Sequence, residues 1–160
     1  MNGNASSANV SSNLTCLNGT YIGLIGYYIG NFVNLTIQYG YQNSSYTGSV
    51  VSGACTFANG SYIGALAGYM VGSLINISSN INITVNGSYS GLIGYLNGSA
   101  NNINLNGLYI FSTYYGIYQG AFAGLMNGSI TGLNSSANIT VLNNATYIGI
   151  VGFLYSNTIT

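Results

Sequence analysis

No Lys, Arg, Asp, Glu or His occurs anywhere in the 160 residues. Globular domains ordinarily devote about a quarter of their residues to charge, so this absence excludes more than any motif could. General acid–base catalysis needs side chains with a pKa near the working pH; only Tyr, Cys and Ser remain, with nothing to activate them. The chain therefore reads as a non-enzyme. Metal sites need imidazole, carboxylate or several thiolates, which 2 Cys cannot supply, so no cofactor is expected. Lys and Arg provide the electrostatic grip on phosphate backbones and anionic lipid surfaces, and their absence removes nucleic acid and charged membranes as partners. Pro and Trp are missing too.

Long hydrophobic runs are also lacking. The longest, Tyr62 to Ile75, has 14 residues and is interrupted by Gly64, Gly68 and Gly72. A bilayer-crossing helix needs about 20, so no membrane span is expected despite a mean hydropathy of +0.39. The opening MNGNASSANV has neither the basic nor the apolar region of a signal peptide.

What is present is 24 Gly, 24 Asn, 32 Ser plus Thr, 16 Tyr and 48% hydrophobic residues. That is enough apolar matter for a core, unlike a disordered chain. The length suits one domain, residues 1–160.

A repeat organises the chain. Five segments share a Tyr-x-Gly-apolar-Gly core, starting at Tyr21, Tyr62, Tyr89, Tyr118 and Tyr147. Their first glycines, Gly23, Gly64, Gly91, Gly120 and Gly149, lie 41, 27, 29 and 29 residues apart. The long first interval predicts an extra loop or partial coil near 41–54. The second and fourth cores, Gly-Ala-Leu-Ala-Gly68 and Gly-Ala-Phe-Ala-Gly124, carry one residue more than the others. Between cores, stretches such as Ile81-Asn-Ile-Thr-Val85 and Asn138-Ile-Thr-Val141 alternate apolar and polar residues, the pattern of strands with one buried face. Glycine at this density would cost helices about 1 kcal/mol per position. Short strands broken by Asn-Gly and Gly-Ser turns, at 27 to 29 residues per repeat, predict an all-β fold. The expected form is a β-solenoid (β-helix) of about five to six coils, with like residues stacked in ladders.

The recurring Gly-Leu-Ile-Gly-Tyr, at Gly23–Tyr27 and Gly91–Tyr95, resembles the GLUG repeat of large surface and adhesin-like proteins. The resemblance covers about residues 18 to 160 and implies a β-solenoid in an extracellular, structural or adhesive setting, without a defined chemistry.

The N-glycan acceptor pattern Asn-x-Ser/Thr begins at Asn4, Asn9, Asn13, Asn18, Asn34, Asn43, Asn59, Asn76, Asn82, Asn86, Asn97, Asn127, Asn134, Asn138 and Asn144. These are 15 of the 24 asparagines, where chance would give about five. Strand alternation alone would place Ser or Thr equally often two residues before Asn, yet that occurs 6 times against 15 after. The directional excess points to covalent N-linked glycans, a coat that would keep a neutral surface soluble. Asn18, Asn59, Asn86 and Asn144 each stand five residues before a core glycine. On adjacent coils such positions would be about 4.8 Å apart, too close for branched sugars on every one. A subset of occupied sites is therefore expected, with some asparagines forming a buried ladder instead.

Cys16 and Cys55 both precede an Asn-Gly-Thr/Ser-Tyr turn, which predicts neighbouring positions and a disulfide, as in an oxidising compartment. Two inert buried thiols are the other reading. Ser156–Thr160 matches Gly128–Thr131, while Gly3–Val10 resembles Gly132–Ile139. Neither end carries a cap, and open edges recruit another chain. The expected partner is a further copy, head to tail, or flanking repeats of a longer chain. The function expected is an N-glycosylated structural subunit of an extracellular fibril or cell-surface coat. An adhesin or glycan-binding module using Tyr and Asn faces is the alternative.

Overall fold

The computed structural model describes residues 5–6, 9–10, 14–22, 25–29, 32–33, 36–38, 49–112, 117–142 and 146–155, with side chains over 61–111, 117–142 and 146–155. These residues form eleven strands: β1 Ala5–Ser6, β2 Asn9–Val10, β3 Leu14–Ile22, β4 Ile25–Ile29, β5 Phe32–Val33, β6 Thr36–Gln38, β7 Ser49–Asn106, β8 Leu108–Ser112, β9 Ile117–Ser135, β10 Asn138–Leu142 and β11 Thr146–Leu154. All belong to one sheet, and every strand pairing with a described register is parallel. The fold is all-β, as the alternation required. No helix among the described residues is long and apolar enough to cross a membrane.

Parallel neighbours usually need a crossover of a dozen or more residues, commonly a helix. Here the crossover is itself extended chain. The 58 residues of β7 would reach roughly 190 Å if straight, yet β7 pairs with six other strands, β3, β4, β5, β6, β8 and β9. It achieves this by turning corners at single residues, between which the chain stays extended. The sheet curls until it nearly closes around its apolar side.

The corners have a backbone signature. Tyr62, Tyr89, Tyr118 and Tyr147 have φ of 54°, 51°, 59° and 55°, and Asn76 and Asn102 have 56° and 55°. Left-handed backbone is costly for a bulky residue, of order 1–3 kcal/mol, so its recurrence at the same motif position marks a bend that the surrounding layers impose. The Asn corner continues at Gly132, φ 65°, placed opposite Asn102 by the flanking pairs Asn101↔Thr131 and Ile103↔Leu133. Asn and Gly are the residues that enter this region most readily.

The one-residue difference among the cores appears as bulges. The register slips between Ser90 and Ile93 where the shorter core meets Gly120–Gly124, and again between Gly149 and Val151 on the opposite side of that core. The strands on either side resume their pairing. On the first interval, Ile37 pairs with Val51, so the chain between them returns one layer on. Residues 41–48 of the expected loop, Gly23 and the chain ends 1–4 and 156–160 lie outside the described residues.

Inward residues stack in columns. Ile83, Tyr109 and Ile139 form one, Val85, Phe111 and Val141 a second, and Leu96, Met126 and Leu154 a third. In the earlier layers these side chains are fully buried, but Val141 is 43% exposed and Ile139 and Leu154 are only partly covered. The core therefore opens at the β10–β11 layer.

Candidate functional site

The polar face is built from asparagine and serine rungs that join successive layers. Asn102 Nδ2 donates to Asn76 Oδ1 at 2.9 Å, and the Ser73 and Ser99 hydroxyls bond at 2.9 Å, both across 26 residues of sequence. Asn127 Nδ2 donates to Asn97 Oδ1 at 3.3 Å in a part-buried setting. Asn82 Oδ1 accepts from the Leu108 backbone N–H at 2.9 Å, and Ser136 Oγ donates to Asn106 Oδ1. Each bond satisfies polar groups where the pleat places polar residues opposite each other.

Asn97 and Asn127 begin the repeated tripeptide Asn-Gly-Ser, and its glycines are stacked. A Cβ on Gly98 (φ +153°) would stand 1.8 Å from the Gly72 carbonyl oxygen, and one on Gly128 (φ +147°) would stand 1.7 Å from that of Gly98. No side chain fits between these layers.

The sequon asparagines thus divide. Asn76 and Asn82 are exposed beside their rungs, and Asn134 and Asn138 are exposed as well. Asn86, Asn97 and Asn127 are partly buried. N-glycans attach through Nδ2, and that of Asn127 is engaged in its rung. Hydrogen-bonded asparagine rungs stand at 97/127 and 76/102, positions the repeat does not single out; the ladder expected from it is at Asn18, Asn59, Asn86 and Asn144. The identical Asn-Gly-Ser triplets at 97–99 and 127–129 were the available signal. Asn9, Asn18 and Asn59 lie in strands whose backbone alone is described, and Asn4, Asn13, Asn34, Asn43 and Asn144 lie outside the described residues.

Backbone register also bears on the cysteines. Leu14 pairs with Cys55 and Cys16 with Phe57, so the two cysteines are on adjacent strands but two residues out of step. With about 4.8 Å between strands and 3.3 Å per residue, their Cα atoms are about 8 Å apart. A disulfide usually spans less than about 7 Å between Cα atoms; the cysteine side chains lie outside the described residues.

Beside the polar rungs run two aromatic rows. Tyr62 and Tyr89 stack at 4.7 Å with planes 11° apart, Tyr89 and Tyr118 follow at 5.4 Å and 33°, and Tyr118 and Tyr147 at 5.0 Å and 29°. In the second row Tyr69 and Tyr95 stack at 4.6 Å and 28°. The rows touch edge to face, Tyr62 against Tyr95 at 6.3 Å and Tyr147 against Phe153 at 6.1 Å. Burial, then the neighbouring phenols of Tyr62 and Tyr118, push the Tyr89 hydroxyl above its ordinary value. Ring faces inside the row are occupied by other rings. Among the described residues, the tyrosines most open to a sugar that lies on a ring face are at the end, where Tyr147 is 58% and Tyr155 65% exposed.

Inside, the column through Ser90, Gln119 and Ile148 carries two buried polar residues among apolar ones. Gln119 Nε2 donates to the Gly87 carbonyl at 2.9 Å, while Ser90 Oγ and Gln119 Oε1 have no partner. Tyr109 OH and Ser79 Oγ are likewise buried without a well-formed bond. Burial pushes the Tyr109 phenol up to about 12, with the nearby Ser79 hydroxyl opposing the shift.

Compared with protein families, with curated proteins and with solved structures, the chain matches none of them.

Proposed function

We propose that the chain is a β-solenoid serving as a non-enzymatic structural subunit of an extracellular fibril or cell-surface coat, extended head to tail by further copies or by flanking repeats. The observation that carries this reading is the open β10–β11 layer. Among the described residues β10 pairs only with β8 and β11 only with β9, leaving one side of each strand's backbone free. Val141 and Leu142, 43% and 47% exposed, stand on that layer. Exposed parallel strands with apolar side chains are templates for another chain, and a head-to-tail contact that does not close builds a filament. The GLUG resemblance and the uncharged composition support the same setting.

N-linked glycans on the exposed asparagines, Asn82 and Asn134 among them, would supply the solubility that charge usually gives. The stacked ring faces weigh against the alternative, a glycan-binding surface along the tyrosine rows.

Sedimentation of the wild type and of a Val141→Lys/Leu142→Lys variant tests the reading. Both positions are substantially exposed, so folding should change little, while two charges block the strand edge. The wild type is expected to form long assemblies and the variant to remain single chains. A wild type that stays single at high concentration overturns extension by further copies, and a variant that assembles equally well overturns the role of this edge.

A further inference from the structure

The longer aromatic row holds phenols one strand spacing apart, ring against ring. Four tyrosines, 62, 89, 118 and 147, make three consecutive ring contacts between 4.7 and 5.4 Å. All four share the same left-handed backbone, so their side chains leave the corner in one direction. Tyr62, Tyr89 and Tyr118 are half-buried, and Tyr147 opens the row to solvent. The chain has no Trp to compete as an oxidisable aromatic.

We propose that this row is a site of oxidative modification, at which a one-electron oxidant joins neighbouring phenols as dityrosine. Each of two tyrosines loses one electron to the oxidant and its phenolic proton to water. The two phenoxyl radicals form a carbon–carbon bond between ring positions ortho to the hydroxyls. The hydrogen on each bonded carbon then moves to its oxygen, restoring both phenols, and the pair has lost two hydrogens in total. Rings in contact also pass an electron along the row, so oxidation at exposed Tyr147 places radicals on its inner neighbours. A tyrosine phenol is protonated at neutral pH, so its proton leaves with the electron.

The experiment uses the whole chain at low concentration, with photo-excited ruthenium tris-bipyridyl and persulfate as the oxidant. Dityrosine fluorescence, intact mass and chymotryptic mapping are read on the single-chain fraction. The expected product is one chain lighter by a pair of hydrogens, linked Tyr62–Tyr89 or Tyr118–Tyr147. Its yield should be at least about tenfold that of the chain in concentrated urea, since groups held in contact react as if highly concentrated. Tyr89→Phe keeps the ring and the stack but should abolish the Tyr62–Tyr89 link while leaving Tyr118–Tyr147. Links scattered over unrelated tyrosines, links only between chains, or an undiminished Tyr62-containing product in Tyr89→Phe would overturn the proposal. The readout is made on single chains and stands apart from filament formation.

Discussion

Replacing Gly98 with alanine tests the layer stacking at its tightest point. The new methyl would lie 1.8 Å from the Gly72 carbonyl oxygen and 2.8 Å from its carbon. Those atoms belong to backbone, so no side-chain rotation relieves the contact. The residue also sits at φ +153°, a conformation that costs a residue with a Cβ about 1–3 kcal/mol. Restoring a normal contact requires the two layers to part by more than about 1 Å, which lengthens adjacent ladder hydrogen bonds worth about 1 kcal/mol each. With two or more bonds weakened, the expected loss is about 4 kcal/mol, near the upper end for single substitutions. Urea unfolding followed by near-ultraviolet circular dichroism of the tyrosines measures it. Ser99→Ala, next door, is the comparison: it deletes only the exposed Ser73–Ser99 hydroxyl bond and should cost about 1 kcal/mol or less. A Gly98→Ala variant within about 1 kcal/mol of the wild type would mean that glycines 72, 98 and 128 are not in contact, and the reasoning would fail.

Three other outcomes rest on particular residues. Asn102→Gly should lose only the rung to Asn76, whereas Asn102→Ala should be less stable by a further ~1 kcal/mol because its φ is 55°; equal stabilities in urea would count against the corner. Tyr109 has its phenol raised from 10.0 to about 12, so its contribution is complete below pH 10 and lost as pH rises toward 12. Tyr109→Phe should therefore raise the alkaline unfolding midpoint and leave neutral stability equal or higher, since the hydroxyl lacks a partner; an unchanged alkaline midpoint refutes the assignment. Expressed through a secretory pathway, the folded chain should carry a glycan at exposed Asn134 and none at Asn127, whose Nδ2 is engaged. Glycosidase-coupled mass spectrometry finding Asn127 occupied in folded material would contradict the rung.

The strands and their repetition were legible because alternation and the Tyr-x-Gly cores are local patterns. Ile81-Asn-Ile-Thr-Val85 reads as a strand with one buried face, and Ile81, Ile83 and Val85 are fully buried. The extra residue in Gly120–Gly124 was visible as a length difference, and it emerges as paired register slips. Left-handed tyrosines were not legible, because tyrosine has no preference for that backbone and the layers above and below impose it. Nor could the sequence distinguish a sequon asparagine bonded to its neighbour from an exposed one, since Asn97 and Asn134 sit in the same Asn-x-Ser/Thr pattern. The buried Ser90–Gln119 pair was hidden for a related reason: inward and outward positions alternate, and the bulge beside Ser90 shifts the count.

Electron cryomicroscopy of the concentrated chain tests the central claim most directly. The expected result is filaments with layers about 4.8 Å apart along the axis, the row of Tyr62, Tyr89, Tyr118 and Tyr147 continuing from one copy into the next, and density on exposed asparagines in secreted material. Discrete single-chain particles with the β10–β11 layer bare would contradict it.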